Sequence, residues 1–409
     1  MISLSFFIAR RFFTTKSKAS FISLISKISM IGVGVEVMAL VLILSVFNGL
    51  ENFQKDLFKS FDPDFKITAK DGLWIQQDSL FLDKIKAIKN VNFVIPILED
   101  QGLVKYKGKE LVVNLKGVAP SFIQSNRLSK SVVEGGYFLK DSTEINNFAL
   151  VGLGVFLNLG LSFEDVFEPM EVLYPDHMAL KNFALTQNTI RSNTIFPSGV
   201  LAVENGFDQQ TVVVPLDWMQ ELCGKNQEFS AIEIEGKAGF DEKQVKADLQ
   251  KVVGGKFEVK SREELHASLL QAVHIEKLFV FLIMGFVMFI ASFTLFYTLS
   301  LLVIEKKKDL KTLLAMGISK PQLFKVFLFL GFLISFSGAI VGLGLGFGLG
   351  WLQLTYGFVK MGIQNGILDA YPIKMAVSDF VATAILVVFI TFLASIFPAK
   401  KAVSQTFED

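Results

Sequence analysis

Residues 278–304 read Leu-Phe-Val-Phe-Leu-Ile-Met-Gly-Phe-Val-Met-Phe-Ile-Ala-Ser-Phe-Thr-Leu-Phe-Tyr-Thr-Leu-Ser-Leu-Leu-Val-Ile, with no Asp, Glu, Lys, Arg or His. About 20 apolar residues of helix cross a bilayer, so this stretch is long enough to span one. Three more stretches qualify. Val326–Val359 is uncharged, Phe380–Phe397 is closed by Pro398, and Ile28–Phe47 is interrupted only by Glu36. The whole chain agrees: of 409 residues, 51% are hydrophobic and 19% charged, against about 25% charged in a soluble protein, and mean hydropathy is +0.48. Forty Lys+Arg against 39 Asp+Glu leave a net charge of +1, which supplies no field for binding nucleic acid. One cysteine, Cys223, excludes an internal disulfide framework.

Basic residues set the orientation, because Lys and Arg are retained on the cytoplasmic side. Arg10, Arg11, Lys16 and Lys18 precede the first span, six lysines lie between Lys306 and Lys325, and Lys400 and Lys401 follow the fourth. Both termini are therefore expected in the cytoplasm, and residues from about 50 to 275 on the opposite side. The first span lacks a small-x-small cleavage site and reads as a retained anchor. Leu4–Phe13 mixes Phe and Ile with Arg10 and Arg11, the pattern of a helix lying in the membrane interface.

The expected fold is a membrane α-helical protein with four transmembrane helices, one before and three after a large α+β domain. Its parts are 1–49, 50–275 and 276–409. Within the large domain, strand–helix–strand patterns recur near 60–100 (Phe65–Ala69, Leu80–Lys89, Val91–Ile97) and 228–262 (Ala231–Glu235, Asp241–Val253, Lys256–Lys260). They flank a β-rich insertion, 101–227, in which Leu103–Tyr106 and Leu111–Lys116 enclose the turn Lys107-Gly108-Lys109. Asn182–Pro197 is polar, nearly uncharged and without a clean period. It either protrudes to bind something or connects strands.

Little in the chain resembles an active site. No G-x-x-x-x-G-K-[ST] pattern is present, so no nucleotide is cradled by that route. His177, His266 and His274 lack metal-ligand spacing, and Cys223 has no basic neighbour to make it a thiolate. Gly338, Gly342, Gly346 and Gly350 form a small-xxx-small series suited to close helix packing. Glu36 stands out. A carboxylate at mid-span costs about 2.5–3.5 kcal/mol on insertion scales, so it either lines a wet cavity or is a protonated or hydrogen-bonded packing group. In the basic loop, 305–322, Glu305–Met316 has helical spacing with Leu310, Leu313 and Leu314 on one side. Gly317 is placed to end that helix, and Ser319-Lys320-Pro321-Gln322 to start the next. A short amphipathic helix there is suited to docking a partner, or to resting against anionic lipid.

Taken in order, several short motifs resemble those of lipoprotein-releasing ABC transporter permeases of the LolC/LolE type, within the MacB/FtsX-like superfamily. Ser45-Val46-Phe47-Asn48-Gly49-Leu50 resembles their S-V-M-N-G-F segment, and His274-Ile275-Glu276-Lys277 their E-K pair. Glu305-Lys306-Lys307-Lys308-Asp309-Leu310 with Ala315-Met316-Gly317-Ile318-Ser319 resembles their coupling segment. Glu134-Gly135 and Leu159-Gly160 match the family's external turns.

The resemblance implies a permease subunit in the inner (plasma) membrane of a Gram-negative bacterium. It would pair with a second permease chain, identical or different, and with two LolD-type ATPase subunits that hold ATP and Mg; the chain itself needs no cofactor. Lipoprotein substrates would pass from membrane lipid to a LolA-type periplasmic carrier. By the same resemblance Glu305, Lys306, Asp309, Leu310, Leu313, Leu314, Met316 and Gly317 couple to the ATPase. Phe47, Asn48, Leu50 and Glu276 would lie at the substrate cavity, joined there on the strength of its mid-span charge by Glu36, which stands where the family usually has a small residue. The hook that engages the carrier falls on Thr186, Gln187, Asn188, Thr189, Ile190, Arg191, Ile195 and Phe196, although this stretch lacks the Pro and Gly of the family's hook. Two other readings remain: a mechanotransmitting permease that extracts no lipoprotein, and a membrane-anchored scaffold.

Overall fold

A computed structural model describes residues 4–14, 21–70, 74–76, 78–141, 146–163, 168–175, 190–361 and 370–407. The chain divides into two compact units: 1–54 with 268–409, and 55–267.

The first unit is helical. Helix α1 spans Leu4–Thr14 and α2 Phe21–Phe61, so α2 continues 14 residues past the expected end of the first span. Among the described residues, four helices are long and apolar enough to cross a membrane, α2 among them. The interfacial α1 packs onto the third span: Ser5 Oγ donates to the Gln322 carbonyl at 3.0 Å, Ala9 is buried, and Phe6 meets Phe329 edge-on at 5.7 Å.

The large domain begins with β1 (Phe65–Ala69), β2 (Ile75–Gln76), α3 (Ser79–Lys86), β3 (Val91–Tyr106) and β4 (Lys109–Val118). Here β3 is one strand of 16 residues, not two short ones. Its turn into β4 uses Lys107 and Gly108, both at positive φ, as a tight hairpin demands. There follow α4 (Ser121–Ser125), β5 (Val132–Gly135), β6 (Phe148–Gly152), α5 (Leu153–Leu159), β7 (Met170–Pro175), β8 (Ile190–Leu201), α6 (Asn205–Gln210), β9 (Thr211–Pro215) and α7 (Leu216–Cys223). The domain closes with β10 (Glu228–Phe229), β11 (Ala231–Gly236), α8 (Glu242–Val253), β12 (Phe257–Ser261) and α9 (Arg262–Leu265).

Ten strands form one sheet, ordered β12-β1-β11-β3-β4-β9-β6-β8-β5, with β7 against β3 and β8. The two strand–helix–strand segments interleave. Because β11 lies antiparallel between β1 and β3, and β1 antiparallel between β11 and β12, each segment is a split βαβ unit. On one face of these strands Ile67, Val94 and Ile232 are covered by Ile85 of α3 and by Val245 and Leu249 of α8. The other face carries Glu233, 1% exposed, between Lys116 at 2.6 Å and Arg127 at 2.5 Å. Burial alone would raise this carboxyl, yet the two cations overcome it and hold it at about 2.

The helical unit resumes with α10 (Ala267–Glu305), α11 (Lys307–Ala315), α12 (Lys320–Tyr356) and α13 (Val377–Phe407). Ser319 and Gln322 form a reciprocal capping box at the start of α12, and Gly357 ends it in the left-handed conformation. Pro398 was expected to close the fourth span, but α13 runs through it to Phe407. Beyond the proline, Ala399 and Ala402 are fully buried in the apolar cluster at this end of the bundle, and that packing offsets the missing backbone hydrogen bond.

Candidate functional site

The small-residue face of α12 receives α2. A β-carbon on Gly342 would lie 2.3 Å from the Gly34 carbonyl oxygen, and one on Gly338 2.5 Å from that of Met30. Only glycine permits backbones this close. Ser29 and Thr298 join α2 to α10 through a 2.7 Å hydroxyl pair.

At the Asn48 end of this packing, polar groups from three spans converge. Asn48 Nδ2 donates to Asp379 Oδ2 at 2.6 Å and to the Lys374 carbonyl at 3.3 Å, while its Oδ1 accepts from Lys277 Nζ at 2.6 Å. Lys277 also lies 3.5 Å from Asp379. The segment leading into α13 is clamped to α2 as well. Lys374 N donates to the Ser45 carbonyl at 3.0 Å, and Lys374 Nζ donates to Asn52 Oδ1 at 2.6 Å. Gly49 touches this segment so closely that a β-carbon would sit 2.1 Å from the Pro372 carbonyl oxygen. Asn48, expected at the mouth of a substrate cavity, is buried and joins three helices. Phe47 and Leu50 are half-buried and Glu276 is exposed. Glu36 is half-buried, with no hydrogen-bond or ion-pair partner among the described residues.

Lys374 and Asp379, which the sequence did not single out, complete this cluster. One signal was available. Asn and Gly are both poor helix formers, so Asn-Gly inside a long helix marks a place where another backbone approaches.

The opposite end of the bundle holds α11. Leu310 is 0% exposed, packed with Leu302, Ile318, Leu323 and Ala402, and Leu313 and Leu314 lean on the same cluster. These leucines, expected to dock a partner, are turned inward: the bundle itself covers the apolar face. Lys307, Lys308, Asp309, Lys311 and Met316 point outward, Met316 being 70% exposed. Lys306 pairs with Asp309 at 3.0 Å and lies over the Phe12 ring of α1 at 5.8 Å. Glu305, also exposed, ends α10, and Gly317 turns the chain toward α12 with φ +90°.

In the large domain, half of the expected hook is strand. Residues 190–196 belong to β8, paired with β7 from Pro175↔Ile190 to Met170↔Ile195. Ile195 is buried in the sheet core, Phe196 packs on Phe148, and the Arg191 guanidinium lies against Gly224. A period-2 pattern was hidden because polar residues face outward on both sides of a hairpin. Thr186, Gln187, Asn188 and Thr189 lie outside the described residues, as does His177. His266 is stacked on Phe58 and bonded to Asp62 at 2.6 Å. Burial pushes the Cys223 thiol up to about 12, far from a reactive thiolate.

Four candidate spans with a large α+β domain between the first and the second define a multi-pass membrane protein. Residues 281–407 match the family described as FtsX-like permease C-terminal. Over 98% of its length the chain is 22% identical to the lipoprotein-releasing system transmembrane protein LolC of Neisseria meningitidis, of which it covers 97%. It is 21% identical to LolE of Haemophilus influenzae, over 97% of the chain and 96% of that protein. Half of the chain also overlays 91% of the periplasmic region of MacB from Actinobacillus actinomycetemcomitans, at 11% identity and a TM-score of 0.35. Residues 281–407 thus carry an FtsX-like permease domain, and the chain is similar to LolC and LolE over nearly its whole length.

Proposed function

We propose that this chain is the permease subunit of a transporter that lifts lipoproteins from the outer leaflet of the inner membrane and hands them to a periplasmic carrier. Both termini and α11 would face the cytoplasm, and residues 55–267 the periplasm. The end-to-end similarity to LolC supports this reading most strongly. An acyl chain of about 15 methylenes, at ~0.8 kcal/mol each, is held by the bilayer with roughly 12 kcal/mol, so release needs an energy source. A separate ATPase would supply it.

The chain's own parts suit the transmission of that work. The basic outer face of α11 offers charge to an acidic or polar groove on the ATPase. Leu310 fixes α11 rigidly to α10, α12 and α13, so a push on α11 moves the bundle. At the far end, Asn48 ties α2 to the starts of α10 and α13, where the movement would be delivered.

The test is reconstitution with the partner ATPase in lipid and measurement of carrier-dependent release of a labelled lipoprotein. Release that needs ATP is expected. Intact ATP hydrolysis without release would overturn the proposal and favour a permease that only transmits force.

A further inference from the structure

A cavity of about 380 Å³ opens on one face of the large domain's sheet, within the size range of small-ligand sites. Its floor is set by strand register. Gln101 of β3 pairs with Asn114 of β4, and Asn114 pairs with Thr211 of β9, so the three side chains share one face in a row. Neighbouring strands are about 4.8 Å apart, so the row spans roughly 10 Å. Its wall is aromatic: Phe61 and Phe207, with ring centroids 5.9 Å apart, both line the cavity.

The charged groups at the rim are already engaged. Asp62 is bonded to His266 at 2.6 Å, Glu99 to Lys66 at 2.6 Å, and Lys116 to Glu233 at 2.6 Å. Asp100 accepts from the Tyr174 hydroxyl at 2.7 Å. By contrast, the side chains of Gln101, Asn114 and Thr211 have no hydrogen-bond partner among the described residues. What the cavity offers is a neutral row: two carboxamides, each with donor and acceptor, and one hydroxyl.

We infer that this cavity binds an extended, uncharged stretch of polypeptide about three residues long. A peptide unit presents one N–H and one C=O, the complement of a carboxamide, and an extended chain advances about 3.4 Å per residue, so three residues match the row. An apolar side chain of the peptide would rest on Phe61 and Phe207. A cationic ligand would find its carboxylates taken.

The site is separate from the lipid-handling role, and its test needs neither nucleotide, ATPase nor lipoprotein. Full-length protein in detergent is titrated into fluorescein-labelled Gly-Ser-Leu-Ser-Gly-Asn-amide, followed by anisotropy. Saturable binding in the millimolar range or tighter is expected. Gln101→Ala and Asn114→Ala should each weaken it about fivefold, the loss of one or two hydrogen bonds. Thr211→Val, which keeps shape and removes the hydroxyl, should weaken it about threefold. Gln101 and Asn114 are exposed, so unchanged melting of their variants verifies folding. Absence of saturable binding, equal binding by all variants, or displacement by maltotriose as effective as by unlabelled peptide would overturn the proposal. None of these outcomes bears on ATP-driven release, which is measured independently.

Discussion

Asn48 and Asp379, 331 residues apart in the chain, share a 2.6 Å hydrogen bond that both side chains make in a buried setting. The amide also accepts from Lys277, so one neutral side chain sits between an anion and a cation and satisfies both. Buried charges are tolerated only when paired and hydrogen-bonded, and Asn48 adds shorter bonds to each of Lys277 and Asp379, whose direct contact is 3.5 Å.

Breaking one member should therefore cost more than removing the pair. Asp379→Leu, which strands the ammonium of Lys277, is expected to destabilise the solubilised protein by about 3 kcal/mol. Adding Lys277→Met should recover most of that loss. Melting temperatures of the two single variants and the double variant check this. Simple addition of the two effects would show that the charges are independent.

Gly49→Ala should fail for a different reason. Its methyl carbon would lie 2.1 Å from the Pro372 carbonyl oxygen, a backbone atom with no rotamer to yield. A marked drop in folded yield and melting temperature is expected, with Gly32→Ala as control, since a β-carbon there meets nothing within 4 Å. Equal stability of the two variants would count against the close approach of α2 and the segment before α13.

The two faces of α11 should separate by assay. Leu310→Ala removes a fully buried side chain and should lower stability by about 2–5 kcal/mol. A triple Lys307→Glu, Lys308→Glu, Lys311→Glu variant changes only exposed groups. It should keep its melting temperature while losing the co-purifying ATPase, because rim charges govern association more than folding. Retention of the ATPase by the triple variant would refute the basic docking face.

Acid should weaken the large domain through Glu233. Its carboxyl is held at about 2 in the fold, against an ordinary value of 4.5. A depressed carboxylate contributes stability that is fully present above the unfolded value and is lost as pH falls through the folded one. Stability should therefore decline from about pH 4.5 toward pH 2. Glu233→Gln should flatten that decline and be less stable at pH 7, where Lys116 and Arg127 lose their anion. Fluorescence of Trp74 and Trp218 during acid titration provides the readout.

The spans were legible because a hydrocarbon environment leaves one solution for an isolated apolar run, a helix with its backbone bonds satisfied internally. The two strand–helix–strand segments were legible from their local alternation and helical spacing, but their interleaving into one sheet over a shared core was not. The cluster at Asn48 was not. Asn48, Lys277, Lys374 and Asp379 lie in separate segments, and no period links them. The inward turn of Leu310 was equally hidden, because an apolar stripe looks the same whether its own bundle or another chain covers it.

Composition and hydropathy by themselves determined that this polypeptide spans a membrane, where its spans lie, and that a mixed α+β domain interrupts them, since each of those features depends on neighbours within a few turns of chain. Only the tertiary structure decided which polar groups meet, which glycines admit another backbone, that α13 continues past Pro398, and that residues 190–196 form a strand. Those outcomes are set by contacts between segments that are separated in the chain, where packing and the pairing of buried charge outweigh local preference.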